Sequence, residues 1–144
     1  MRRVLLGLWL MSGVAHAIGV EQLLPPDKAF RLQAGMPDSR TILLEYRIAP
    51  GYYLYRDRFR FSAENASLGK VKLPDGFPKQ DPTFGTVMVF ANMLEIQLPL
   101  SAPLTRPMTL KATSQGCTRL GVCYVPYTHR FRISPDGTVT TLRE

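Results

Sequence analysis

The run Thr41-Ile42-Leu43-Leu44-Glu45-Tyr46-Arg47-Ile48 alternates apolar and more polar side chains, and it ends in the turn sequence Ala49-Pro50-Gly51. Alternation with a period of two is typical of a β-strand with one buried face. Similar short runs, separated by Gly, Pro, Asp and Asn, predict six further strands: Ala29–Gln33, Tyr53–Phe61, Ser67–Leu73, Leu94–Leu100, Pro107–Thr113 and Tyr124–Ile133. No helical stripe interrupts them. About seven short strands in roughly 100 residues predict an all-β fold, an immunoglobulin-like β-sandwich.

The amino terminus has the features of a signal peptide. Arg2 and Arg3 precede a mostly apolar run, and Ala15-His16-Ala17 supplies the small-x-small pattern that signal peptidase requires. A helix needs about 20 apolar residues to cross a bilayer, and the apolar run is shorter than that. We therefore expect a signal peptide over residues 1–17, cleaved after Ala17, and one exported domain over residues 18–144 with no stable membrane span. An uncleaved amino-terminal anchor is the alternative.

The charge and the motif content narrow the class of protein. The net charge of +7 comes from 18 Lys and Arg against 11 Asp and Glu, and a modest excess of this kind is typical of a solvated surface. Export argues against nucleic acid as a partner. A Gly-x-Ser-x-Gly nucleophile setting and a phosphate-binding glycine motif are both missing from the sequence, which argues against a hydrolase and a nucleotide-binding protein.

Two cysteines, six positions apart, are the sequence's most reactive feature. A disulfide between Cys117 and Cys123 would close so short a loop that it removes only about 2 to 2.5 kcal/mol of unfolded-chain entropy. Arg119 between them could raise the thiolate fraction if its side chain turns inward, and Tyr124 and Pro126 would wall the second cysteine. These residues favour a redox-active pair in a hairpin-like loop. The alternative is an inert disulfide that only stabilises the hairpin.

A metal site is a weaker interpretation of the same region. The two thiolates with His129, or with Met88 and Met93, could bind copper(I), which prefers soft ligands. However, the alternation of the last predicted strand makes His129 a packed or surface residue, and methionines in an apolar run are usually core filler. The sequence has no second cysteine pair for a closed zinc site. We expect neither a metal nor another cofactor.

One long irregular segment, Pro74 to Gly85, stands out among the predicted strands. Loops of that length inside a compact domain are usually functional or disordered. Phe77 and Phe84 lie within it, which indicates a loop that packs on another part of the domain.

Three stretches together resemble a known family: Gly51-Tyr52-Tyr53-Leu54-Tyr55-Arg56, Asp81-Pro82-Thr83-Phe84-Gly85, and Gln115-Gly116-Cys117 with Cys123-Tyr124-Val125-Pro126. They are similar to the amino-terminal periplasmic domain of DsbD-type thiol:disulfide interchange proteins, and the similarity extends from about Leu23 to about Ile133. The resemblance implies an immunoglobulin-like domain in the periplasm. Such a domain takes reducing equivalents from a thioredoxin-like donor domain, which is served by a membrane electron transporter. It passes them to oxidised periplasmic thiol proteins such as disulfide isomerases and cytochrome c maturation factors.

The resemblance also implies roles for single residues. Cys123 matches the nucleophile that forms mixed disulfides, and Cys117 matches the cysteine that resolves them. Tyr53 and Tyr55 match tyrosines that line the family's active site, and Asp81 matches an acidic position near the cysteines.

The segment from Asp81 to Gly85 matches the family's cap loop, which shields the sulfurs until a partner displaces it. In the family, two neighbouring positions of this loop are often aromatic. The first of them is Thr83 here, so we expect either that Phe84 shields the sulfurs or that the shielding is looser.

The chain also ends at Glu144 without a thioredoxin-like domain or a transmembrane region. We expect either a free-standing version with separate membrane partners or the product of a split or truncated gene. A non-catalytic sandwich adaptor with a structural disulfide and a copper(I)-handling module remain the alternative functions.

Overall fold

A computed structural model of the chain describes residues 22–143, so the expected signal peptide over residues 1–17 and its cleavage site lie outside the described residues. The described part contains a short helix, α1, a 3-10 turn at Arg56–Arg58, and eleven strands. The bounds are α1 Pro26–Ala29, β1 Phe30–Asp38, β2 Thr41–Ile48, β3 Tyr52–Tyr55, β4 Arg60–Glu64, β5 Phe77–Asp81, β6 Gly85–Phe90, β7 Met93–Pro99, β8 Met108–Ser114, β9 Gly116–Thr118, β10 Tyr127–Ile133 and β11 Val139–Leu142.

The strands form three antiparallel sheets, in the orders β1-β2-β7, β11-β10-β8-β4 and β5-β6-β3-β9. The alternate apolar residues of β2, β7 and β8 on the inner faces of the first two sheets are almost fully buried, and they form one core cluster with Phe131 and Ile133 of β10. Burying one face of each sheet against the other is the arrangement that the alternation in Thr41–Ile48 requires. The predicted immunoglobulin-like β-sandwich is therefore confirmed.

Two predicted strands differ from the structure. The run Tyr53–Phe61 is divided by the turn Arg56–Arg58, where three consecutive charged residues carry the chain from the third sheet to the second. The run Ser67–Leu73 is not a strand: Leu68 forms a single bridge with Leu100, and the Gly69 amide donates to the Pro99 carbonyl at 2.7 Å. Pro99 has no N–H group with which to continue a ladder.

The structure also contains strands that the sequence pattern did not predict. The segment Pro74–Gly85, which we expected to be an irregular loop, contains β5 and the turn into β6, whose register pairs Phe77 with Val89 and Asp81 with Gly85. Proline inside β5 is compatible with a strand because β5 is at the edge of its sheet. Strands β9 and β11 are three and four residues long, which is too short for alternation to reveal them.

Strand β3 links the core to the cysteines because it is buried on both faces. Tyr52 and Leu54 belong to the main core, whereas Tyr53 and Tyr55 belong to a second, smaller cluster together with Val89 and Cys117. In the ladder between β3 and β9, Tyr53 lies opposite Cys117. Opposed residues in an antiparallel pair project to the same face, so the register puts the first cysteine beside the two tyrosines.

A glycine makes this close approach possible. Gly116 lies opposite Leu54 in the same ladder, and a Cβ atom at position 116 would collide with the Tyr53 carbonyl oxygen and the Phe30 ring. Only a residue without a side chain fits where the β9 backbone approaches both a strand and an aromatic ring.

Candidate redox site

The two cysteines form a disulfide that closes a small local turn. Their Cα atoms are 4.0 Å apart, and the two residues form an isolated antiparallel bridge. The Thr118 amide donates to the Val122 carbonyl at 2.8 Å, and Gly121 completes the turn with a φ of +88°, which glycine adopts at little cost. The turn exposes the two sulfur-bearing residues unequally, since Cys117 is completely buried whereas Cys123 is exposed.

The Tyr55 hydroxyl is the centre of the polar contacts around the disulfide. It donates to Asp81 Oδ2 at 2.5 Å and lies 3.0 Å from Cys117 Sγ and 3.8 Å from Cys123 Sγ. The Tyr53 hydroxyl donates to the same carboxylate oxygen at 3.2 Å. Burial raises the pKa of Tyr55, and the hydrogen bond to Asp81 raises it further, so the hydroxyl keeps its proton across the physiological range.

The Asp81 side chain is buried but fully hydrogen bonded. Besides the two tyrosine hydroxyls at Oδ2, its Oδ1 accepts the backbone amides of Thr83 and Phe84 at 2.8 and 3.0 Å. The Tyr55 hydroxyl and these amides outweigh the effect of burial and hold the pKa of Asp81 below its ordinary value. The site therefore contains a buried negative charge, and no ion pair within residues 22–143 neutralises it.

The turn between β5 and β6 positions Phe84 over the site. Asp81 begins the turn and accepts its amides, and Gly85 ends it with a φ of +72°. The Phe84 ring meets the Tyr55 ring edge to face, with 5.7 Å between the centroids. The Arg58 guanidinium lies over the same ring, 5.0 Å from its centroid. Phe84 is 49% exposed, so it lies between the tyrosine that contacts both sulfurs and the solvent.

Comparison with known proteins agrees with this geometry. The family model for the N-terminal region of the thiol:disulfide interchange protein DsbD matches residues 20–135. The chain belongs to this family. A DsbD protein of Pseudomonas aeruginosa is 44% identical over 117 residues, which is 80% of this chain and 20% of that protein. A Neisseria meningitidis relative is 34% identical over 90% of this chain and 22% of its own length. The chain thus spans about a fifth of the length of the curated relatives that it matches.

Two solved structures have the same fold as this DsbD-family domain. The reduced DsbD N-terminal domain of Neisseria meningitidis has a TM-score of 0.76 and 29% identity, and the match covers 87% of this chain and 99% of that chain. The complex between the DsbD and PilB N-terminal domains of the same organism has a TM-score of 0.66 and 31% identity, covering 77% and 87% respectively. Within residues 22–143, none of the helices has the length and apolar character needed to cross a membrane.

The other predicted site residues lie around this centre at different depths. Arg119 is exposed; its amide donates to the Gly51 carbonyl at 2.8 Å, and its side chain lines a shallow pocket with Tyr53 and Lys79. The hydrogen bonds to the two sulfurs in residues 22–143 come from Tyr55, and none comes from the Arg119 guanidinium. Pro126 is exposed beyond the second cysteine.

Tyr124, which we expected to wall Cys123, packs toward the core. Its ring contacts Phe30 edge to face at 5.6 Å and tilts against Tyr52 at 6.2 Å. The hydroxyl donates to the Leu24 carbonyl at 2.5 Å, and burial raises the pKa of Tyr124 to about 12. Tyr124 thus holds the segment before α1 against the domain, next to the cysteine loop.

The residues considered for copper are separated. The centroid of the His129 ring lies 4.9 Å from that of Tyr127 and 6.5 Å from that of Phe131, on which it stacks, so His129 is packed, which is one of the two positions that the alternation allowed. Met88 is half-buried in β6, but Met93 is 54% exposed, so the interpretation of Met93 as core filler is wrong. Across residues 22–143, no group of three His, Cys, Asp or Glu side chains converges on a common point.

Sequence reasoning missed several residues beside the site. Arg58 contacts the Phe84 ring, and the Lys79 ammonium lies 4.9 Å from the centre of the Tyr53 ring. Leu120, Val122 and Val125 are exposed on both sides of Cys123. The three apolar residues could have been found from the sequence, because exposed apolar side chains next to a reactive cysteine indicate a contact surface. The two cations could not, because their aromatic partners are distant in the chain.

Proposed function

We propose that the chain is a periplasmic thiol:disulfide interchange domain that alternates between a Cys117/Cys123 dithiol and the disulfide. A thioredoxin-like domain linked to a membrane electron transporter would reduce the pair. Oxidised thiol proteins of the periplasm, such as disulfide isomerases and cytochrome c maturation factors, would oxidise it. The observation that carries the proposal is the unequal exposure of the two cysteines, with the inner sulfur held 3.0 Å from the Tyr55 hydroxyl.

The exposed cysteine is the point of attack in both directions. A donor thiolate attacks Cys123 Sγ, the bond to Cys117 breaks, and Cys117 leaves as a thiolate that takes up a proton. A second donor thiol then releases Cys123, so that two electrons and two protons enter the domain. In the forward step, the Cys123 thiolate attacks a partner disulfide. Cys117 loses its proton and attacks Cys123 Sγ, which frees the reduced partner and restores the disulfide.

Tyr55 positions the inner cysteine through its single proton. The hydroxyl uses that proton to donate a hydrogen bond to Asp81, so its oxygen is left to accept a hydrogen bond from a reduced Cys117 thiol. The buried Asp81 charge beyond it disfavours a second negative charge at the sulfurs. The Asp81 charge therefore favours the protonated over the ionised dithiol until a partner excludes water and supplies its own charges.

Phe84 protects the pair between encounters. Its ring covers Tyr55 on the solvent side, so a partner that reaches the sulfurs must displace the turn or slide beneath the ring. The disulfide joins neighbours within one short turn and lies outside the large core cluster. This position favours a reactive bond over the structural bond that a non-catalytic adaptor would need.

The first experiment is equilibration of the chain with dithiothreitol or glutathione buffers to obtain the reduction potential. A value between about −200 and −270 mV lies within the range of exchange proteins, and a value below about −300 mV would identify a structural bond and overturn the proposal. The second experiment uses the two single Ser variants with an oxidised thioredoxin-fold substrate. Cys117→Ser is expected to accumulate a mixed disulfide, whereas Cys123→Ser should form none. The reverse pattern would exchange the two roles.

A further inference from the structure

A basic groove of about 840 Å³ lies on the side of the sandwich where β1 faces β10 and β11. Strand β1 ends one sheet and β11 ends the other, so each pairs with a neighbour on one side only in the described part of the chain. The two edges approach each other where the Gly137 backbone passes the Met36 carbonyl. The groove lies toward the other end of these strands, between residues 31–33 of β1 and residues 141–142 of β11, so it has an unpaired strand edge on each side.

The side chains that line the groove carry an excess of positive charge. Lys28, Arg31, Arg130 and Arg143 are cationic, and Asp27 is the one carboxylate among the lining residues. None of the four cations forms an ion pair with a residue between positions 22 and 143. Elsewhere in that range Arg47, Arg56 and Lys111 do have acidic partners. The four positive charges of the groove thus exceed the charge of Asp27, the one carboxylate that lines it.

Two buried polar atoms in the groove wall also lack a partner. Arg130 Nε and His129 Nδ1 are inaccessible to solvent and make no hydrogen bond. Leaving a buried donor or acceptor without a partner is unfavourable, because the group has lost its hydrogen bonds to water. Burial lowers the pKa of His129 to about 4, against a smaller opposite effect of Asp27, so the imidazole is neutral at pH 7. Both residues line the groove, so its wall contains two polar groups whose hydrogen-bonding capacity the domain does not use.

We propose that this groove binds an extended, acidic segment of a partner protein. Carboxylates of the segment would neutralise the four cations, and its backbone would pair with the free edge of β1 or β11, as in the addition of a strand to a sheet edge. Anionic lipid headgroups would satisfy the charges but not the strand edges, and a flat bilayer surface does not enter a groove between two sheets. The proposal does not depend on thiol exchange, because none of these residues contacts the cysteines.

The test uses the ¹⁵N-labelled chain and a blocked six-residue peptide of alternating glutamate and valine. Saturable amide shifts are expected in residues 30–33 and 139–143, and the same peptide with glutamine in place of glutamate should not produce them. The double variant Arg31→Glu, Arg143→Glu should bind about ten-fold more weakly. The matched double variant Lys70→Glu, Lys72→Glu, which reverses two exposed charges in a different pocket, should bind as the unchanged chain does.

Three results would overturn the proposal. One is the absence of saturable shifts in the two edge strands. Another is an equal loss of affinity in both double variants, which would show attraction by overall charge. The third is binding to phosphatidylglycerol vesicles, weakened by Arg31→Glu with Arg143→Glu, in the absence of peptide binding. A variant with both Cys117→Ser and Cys123→Ser should still bind the peptide, so this result is independent of the redox experiments.

Discussion

The molecule contains two buried clusters of very different composition. The large one, between the sheets of the sandwich, consists almost entirely of aliphatic and aromatic side chains. The small one under the Phe84 turn combines Tyr53, Tyr55, Val89 and Cys117, and it borders the charged Asp81. The difference shows that the side chains that stabilise the sandwich and the side chains that surround the cysteine pair lie in separate parts of the molecule. The turn over the small cluster can consequently open without loss of the packing that holds the sandwich together.

The largest expected effect tests the core side of this comparison. Leu44→Ala removes a completely buried side chain from β2 and should lower the free energy of unfolding by about 3 kcal/mol. Urea unfolding measures this loss, with Val125→Ala at a 78% exposed position as the control. The rate at which dithiothreitol reduces the folded domain should stay within about two-fold of the original, because opening the site requires no core contact. A much faster reduction would show that the two clusters are coupled.

The second effect is an acid sensitivity of the sandwich at the edge of the large cluster, where the His129 ring meets Tyr46 and Phe131. The pKa of His129 falls from its ordinary value of 6.5 to about 4 on folding, chiefly through burial beside Phe131 and Tyr46. The unfolded chain therefore binds a proton that the folded chain does not, and stability is lost as the pH falls from 6.5 to 4. Because the ring is only partly buried, we expect a loss of about 2 kcal/mol. His129→Phe should remove this part of the pH dependence, and equal curves for both proteins in denaturant titrations at pH 7 and pH 4.5 would refute the assignment.

The third effect belongs to the site. Asp81→Asn removes the buried charge beside the sulfurs and should increase the alkylation rate of the reduced cysteines by iodoacetamide at pH 7 by about five-fold. The folded pKa of Asp81 is lowered, so its contribution to stability is present above 3.8 and is lost as the pH falls through the folded value. The variant should therefore lose less stability than the original between pH 5 and pH 3. Asp57→Asn, at an exposed carboxylate, is the control for both measurements.

The smallest effect concerns the contact between Arg58 and Phe84. Arg58→Met keeps the length of the side chain but removes the charge over the ring, which at an exposed site is worth about 0.5 to 1 kcal/mol. Dithiothreitol should then reduce the disulfide about three-fold faster, with no change in urea stability. Arg58→Met should have no further effect in a Phe84→Leu background. An equal effect in both backgrounds would mean that Arg58 acts on the site without the ring.

The sequence predicted the large cluster better than the small one. Alternation in Thr41–Ile48 and Leu94–Leu100 places the buried residues of β2 and β7 correctly, because one face of each strand is solvated. Strand β3 is buried on both faces and has no alternation, so pattern alone does not reveal that Tyr53 and Tyr55 face the cysteines. Resemblance to the family supplied those residues. Neither the alternation nor the resemblance predicts the contact between Arg58 and Phe84, because it depends on the turn that connects two sheets.

The residue at position 116 of the cysteine loop must be a glycine, whereas the residues at the tip of the loop can be substituted. A methyl group at this position has nowhere to go between the Tyr53 carbonyl and the Phe30 ring, so the frame in front of Cys117 is fixed by the sandwich itself. Four residues further on, Leu120 is 76% exposed, so no packing contact of this kind restricts the side chain at the tip of the loop. Grafting experiments that exchange the tip of this loop between relatives could therefore alter partner choice while the inner cysteine stays in place, whereas grafts that include position 116 should keep the glycine.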